Sequence, residues 1–161
     1  MIIGMRKYVL QNLKRELYNK KLIKEYIESS EGRRDMMYEC SEGYNTFGVG
    51  HNMDIKQDQE LIDLVFEYDY KKIIKRLNMP QQFPFKFKKQ PMPVRKVLCD
   101  MAFQMGIMGL KRFKNMLKAI SESDYIKASE ELLDSKYAKQ TPNRAKRNAK
   151  ILKNCAKKHL K

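Results

Sequence analysis

A chain of 161 residues fits one domain, or two lobes about a cleft, and is long enough to bury a core. Only 12 Gly and Pro residues exclude a long linker or low-complexity tract, and three cysteines without CxxC spacing (Cys40, Cys99, Cys155) exclude a disulfide framework. Lys and Arg exceed Asp and Glu by 34 to 19, and the +15 excess suits polyanions such as nucleic acid or an anionic bacterial wall or outer leaflet, or simply a solvated surface.

The opening MIIGMRKYVLQNLKRELYNKK has no apolar core long enough for a signal peptide. No stretch approaches the roughly 20 apolar residues of a membrane span. Synthesis in a reducing compartment is expected, with a separate agent releasing any protein that acts outside it.

Apolar residues recur at helical spacing from Met5 to Ile27, which predicts one long or two abutting helices ending near Gly32. Residues 33–52 alternate aromatic and β-branched residues with turn formers, the pattern of a small antiparallel sheet. Helical period returns over 57–77, followed by a connector with prolines at 80, 84, 91 and 93. Further helices are expected over 93–105, 110–119, 122–133 and 142–154. Ser121 and Thr141 are the candidate N-caps, and Pro142 takes a first helical position. No internal repeat is visible. The fold class is α+β, mostly helical, with a small sheet lobe, a connecting helix and an all-helical lobe.

Glu31 stands at a helix end. The negative end of the dipole disfavours a second negative charge, which suits a carboxyl that must stay protonated. Glycosidic cleavage needs such an acid, plus a group that activates water on the other face of the sugar. Thr46, in the neighbouring turn-and-strand run, offers a hydroxyl to hold that water. Taken alone, a Glu before a Gly is more often only a helix end.

Three motifs raise that weight: E-G-x-R at 31–34 with Tyr38 and E-G-Y-x-T-x-G-x-G-H at 42–51, A-F-Q-M-G at 102–106 with Phe113, and Q-T-P-N-R-A-K-R at 140–147. In this order and spacing they resemble the T-even phage lysozymes of glycoside hydrolase family 24, over about residues 21–150. The resemblance implies a single lysozyme-like bilobal domain over 21–161, with a β-lobe at about 33–55, a connecting helix at 57–78 and a helical lobe at 93–161. Residues 1–20 are then a basic helical extension.

It further implies a muramidase that cuts the β-1,4 bond between N-acetylmuramic acid and N-acetylglucosamine. Glu31 would be the general acid, and Thr46 would help position water in an inverting hydrolysis. Arg144 would buttress Glu31, Gln104 would contact that glutamate or the glycan, and Phe103 would line the sugar cleft. Cys40 occupies the position of the family's second catalytic carboxylate. The connector after the sheet is shorter than in the T-even enzymes, a substrate-contact serine appears as Met116, and a tryptophan appears as Tyr137.

Four roles are open to Cys40. A thiolate could replace the carboxylate, helped by Arg33, Arg34 and the +15 field. It could attack the anomeric carbon, giving retention. A neighbouring carboxylate could stand in, although Glu39 would face the other side of a strand and Glu42 matches a non-catalytic position. Or the site could be silent, leaving a glycan-binding or structural module. The first is preferred.

His51 is expected to pair with Asp69 and tie sheet to helix, and His159 to lie solvated. Cys99 reads as a small buried hydrophobe and the eleven methionines as core filler. Neither metal nor cofactor is expected. The tail from Ala138 carries nine Lys or Arg and no acid, so it could meet phosphate-bearing wall polymers. The expected partner is peptidoglycan, met by a monomer that accumulates in the host cytoplasm until a pore protein releases it to the periplasm or wall. A nucleic-acid binder rests on charge alone, since no recognition helix is organised for base reading.

Overall fold

In a computed structural model the chain is described from residue 2 to residue 159, and its side chains from 8 to 156. The chain divides into two compact units, the first ending at Gln59 and the second beginning at Glu60.

The first unit opens with a single helix, α1 (Ile2–Glu31). It carries no proline and only one glycine, Gly4, so nothing in its sequence divides it. Gly32 ends it at φ +73°, its N–H donating to the Glu28 carbonyl at 2.8 Å. That is a left-handed cap, which glycine adopts without a Cβ penalty.

Three antiparallel strands follow in the order β1 (Arg34–Glu39), β2 (Asn45–Gly48) and β3 (His51–Asn52). Tyr38 pairs with Thr46, and Phe47 with His51. The Asp54 carboxylate closes the sheet's end, accepting from the Asn45 backbone N–H at 2.7 Å and its side-chain amide at 2.9 Å.

The second unit holds the core. It contains α2 (Gln59–Leu77) apart from its first residue, a short 3-10 turn (Phe87–Lys89), α3 (Met92–Lys111), α4 (Lys114–Ser121), α5 (Tyr125–Leu133), α6 (Lys136–Gln140) and α7 (Pro142–His159). Helical spacing turns Val94, Val97, Leu98 and Met101 of α3 inward, each fully buried. Burial of each such large side chain contributes roughly 1.5–3 kcal/mol. α7 meets this core with Leu152 and with Ala145 and Ala149, two small residues that admit α5 and α3 closely. Among the described residues every buried apolar side chain lies in this unit.

The α+β class stands, with one helix break located and one helix cap corrected. The helix expected over 93–105 is the first part of α3, which breaks at Gly106, where φ +72° and ψ 169°, a pair only glycine accepts easily, leave the helix. A short second part reaches Lys111, and the helix expected over 110–119 begins instead at Lys114. Ser121 does not cap the next helix. It donates to the Lys118 carbonyl at 2.6 Å, while Asp124 accepts from the Lys127 N–H at 2.9 Å and starts α5 at Tyr125. Ser123, at φ +60°, makes the turn that moves the cap along the chain. Thr141 stands directly before Pro142 as expected, its carbonyl accepting from the Ala145 N–H at 3.0 Å while its hydroxyl donates to the Tyr137 carbonyl at 3.1 Å.

His51 is also reassigned. Its Nε2 is hydrogen-bonded to Gln57 Oε1 at 2.6 Å, where the sequence pointed to Asp69. The Gln57 amide also donates to the carbonyls of Asn52 and Ile55, at 3.0 and 2.9 Å. Gln57 lies six residues from His51 and is fixed by the same loop, so the partner is local. His159 falls at the end of α7, and its side chain lies outside those described.

Candidate active site

Glu31 is the last residue of α1 and is exposed. Its carboxyl rests against Gly50: a Cβ added there would lie 3.1 Å from Oε2 and 3.4 Å from Cδ. Gly50 has φ +72°, in the tight turn between β2 and β3. The glycine therefore serves two ends, turning the chain and leaving room for the acid.

Cys40 follows β1 and opens a tight loop. Its N–H donates to the Tyr44 carbonyl at 2.9 Å, and its own carbonyl accepts from Gly43 N–H at 2.9 Å. With Gly43 at φ +81°, this is a three-residue hairpin loop closed by a left-handed glycine. The loop turns backbone N–H groups toward the sulfur. Hydrogen bonds from the backbone of Tyr44, then of Glu42, then from the Thr46 hydroxyl hold the Cys40 thiol below its usual range.

The direction agrees with the sequence argument, but the cause differs. The arginines credited with it are engaged elsewhere. Arg33 makes a bidentate pair with Glu28, its Nη2 at 3.0 Å from Oε2. Arg34 stacks over Tyr38, 4.4 Å from the ring centroid. Fixed peptide dipoles, not mobile side-chain charge, favour the thiolate.

Thr46 is buried at 3% exposure. Its hydroxyl lies 3.0 Å from the Tyr44 carbonyl and is also a donor to Cys40. One proton cannot serve both at once. The carbonyl already receives the Cys40 N–H, so the hydroxyl can turn to an ionised sulfur without orphaning it.

In the second unit, Gln104 Oε1 accepts from the Tyr137 hydroxyl at 3.1 Å, and Tyr137 meets Phe113 edge-on at 5.8 Å between centroids. Both lie on a cleft of about 1010 Å³ whose lining includes Met105, Arg112, Asn115 and Met116. Tyr137 thus keeps a polar hold on Gln104. Phe103 is not in that lining. It packs on Phe66 of α2 at 5.6 Å.

Arg144 is clamped by Asp100, with Nε–Oδ2 at 2.9 Å and Nη2–Oδ1 at 2.8 Å. Asp100 also accepts from Arg147 Nη2 at 3.1 Å and from the buried Asn148 amide at 2.7 Å. Burial pushes the Asp100 carboxyl up, but the bonds from Arg144 and Asn148 and the charges of Arg144 and Arg147 outweigh it. The net position is below the usual Asp range. Sequence reasoning missed Asp100 and Gly50. A carboxylate inside the apolar run V-L-C-D-M-A-F was the available signal for the first, and the G-x-G-H run for the second.

The structure therefore brings Glu31, Cys40 and Thr46 into the first unit, and Phe103, Gln104 and Arg144 into the second. A family model described as phage lysozyme matches residues 28–153. The chain belongs to the phage lysozyme family. It is similar to probable T4-type lysozyme 1 of Dictyostelium discoideum, 26% identical over 157 residues that cover 81% of this chain and 92% of the relative. Probable T4-type lysozyme 2 of the same organism is 25% identical over 152 residues, covering 78% and 89%. Membership in a lysozyme family supports a glycoside hydrolase with peptidoglycan as substrate. Among the described residues no helix is long and apolar enough to cross a membrane.

Proposed function

We propose that the chain is a muramidase that hydrolyses the β-1,4 bond between N-acetylmuramic acid and N-acetylglucosamine, with Glu31 as general acid and the Cys40 thiolate in the role of the second carboxylate. The observation that carries this reading is the set of donors on Cys40. The Tyr44 and Glu42 amides and the Thr46 hydroxyl favour an anion where the family has one.

In this mechanism Glu31 gives its proton to the glycosidic oxygen as the bond to the anomeric carbon breaks. A water, oriented by Thr46 and losing its proton to the Cys40 sulfur, attacks the opposite face of the oxocarbenium-like centre. The configuration inverts. Return of the thiol proton to solvent and reprotonation of Glu31 complete the cycle.

Gln104, set by Tyr137, and Phe103 are the groups proposed to hold the glycan, and Arg144 is proposed to support the acid, oriented by Asp100. The family description supports lysis of a bacterial host wall by a phage as the setting. Release of new reducing ends from purified wall fragments tests the reading. Wild type should release them and Glu31→Gln should lose about a thousandfold or more; equal, negligible release by both would leave only a glycan-binding module.

A further inference from the structure

The N-terminal half of α1 has features the hydrolase does not use. Val9, Leu10, Leu13 and Leu17 are 50, 59, 49 and 67% exposed. At about 100° per residue these four fall within one arc of roughly 100°. They form a stripe along a helix whose residues 6–24 carry seven Lys or Arg against the single Glu16. The family match begins only at residue 28.

Three occupants of this face can be weighed. A second copy would need a continuous heptad seam. The seam begun by Leu10, Leu13 and Leu17 runs into Lys20 and Lys24, setting like charges together. Nucleic acid would satisfy the cations but leave four aliphatic side chains in water. An anionic bilayer satisfies both. The stripe enters the acyl boundary, while Lys20 and Lys24, at its end, extend their ammonium groups to headgroup phosphates. The helix is too polar to span a bilayer, as an interfacial helix must be.

We infer that the N-terminal half of α1 is an interfacial helix that docks on a lipid surface rich in anionic headgroups. Its role is to hold the chain at a membrane face, separately from glycan cleavage. This inference stands whether or not the chain proves to be a muramidase.

Co-sedimentation of the full chain with vesicles of mixed phosphatidylglycerol and phosphatidylcholine, and of phosphatidylcholine alone, tests it. Binding should be tenfold or more tighter to the mixed vesicles, at about fivefold per engaged cation. The double variant Leu13→Ser/Leu17→Ser, which removes the stripe without changing the charge, should lose about tenfold or more in that binding. Lys20→Glu/Lys24→Glu, which leaves the stripe intact, should lose a similar factor. Thermal unfolding should stay unchanged in both, because the described core lies in the other unit.

Wild-type binding by Leu13→Ser/Leu17→Ser would overturn the inference, since charge alone would then act. So would equal affinity for both vesicles, or retention on insoluble wall fragments without vesicle binding. A concentration-dependent dimer dispersed by Leu13→Ser/Leu17→Ser would assign the stripe to a second copy instead.

Discussion

Glu31 lies with its carboxyl oxygen against the Cα of Gly50, so close that a Cβ there would stand 3.1 Å from Oε2. The proposed acid is placed by the absence of a side chain. Gly50→Ala meets two penalties at once, a left-handed φ of +72° and displacement of the Glu31 carboxyl. The strain costs about 1–2 kcal/mol. The displacement should reduce kcat about tenfold or more, because the acid moves relative to the leaving oxygen. Chemical denaturation and steady-state kinetics on Gly50→Ala measure the two effects separately. Unchanged kcat would show that Glu31 does not act from this position.

Asp100 joins α3 to α7 through Arg144, Arg147 and Asn148. Asp100→Ala leaves the buried Asn148 amide without its acceptor and should cost about 2 kcal/mol at neutral pH. The pH dependence has a definite sign. The folded carboxyl is depressed relative to 3.8, so its stabilisation is fully present above that value and is lost as pH falls through the folded one. Urea midpoints of wild type and Asp100→Ala should therefore differ at pH 7 and draw together as the pH falls below 3.8 and through the folded titration.

The reassigned cap gives a local test. Asp124→Ala should destabilise by about 1 kcal/mol, the ordinary cost of a lost N-cap, and Ser121→Ala by less than about 0.5 kcal/mol. Thermal melts of the two variants decide which residue starts α5.

Which parts of this protein could be read from its residues follows from the range of the interactions. Helical period marked α2, α3, α5 and α7, because the spacing that buries Val94, Leu98 and Met101 is written within a few turns. The turn residues Ser41-Glu42-Gly43 marked the hairpin beside Cys40. What the loop does to the thiol was not legible, because a sequence displays charges such as Arg33 and Arg34 but not the direction of backbone N–H groups. The same limit hid Asp100, whose partners lie 44 to 48 residues away. Caps failed where several capping residues stood together: S-E-S-D offers three, and the positive φ of Ser123 selected the last.

The central claim is that a thiolate at Cys40 does the work of a carboxylate. Turnover then needs Glu31 protonated and Cys40 ionised in the same molecule. A thiol titrates above a carboxyl, so only a minor fraction of molecules has both. That fraction is flat between the two titrations and falls outside them, so the alkaline limb of kcat/KM reports the thiol. The depressed titration of Cys40 raises this fraction about tenfold for each pH unit.

The pH profile of kcat/KM for wild type, Cys40→Asp and Cys40→Ala is the most direct measurement. Cys40→Asp should keep or raise the maximum and move the alkaline limb to lower pH, while Cys40→Ala should lose about a hundredfold or more. An alanine variant as active as wild type, with the alkaline limb unmoved in all three, would contradict the account.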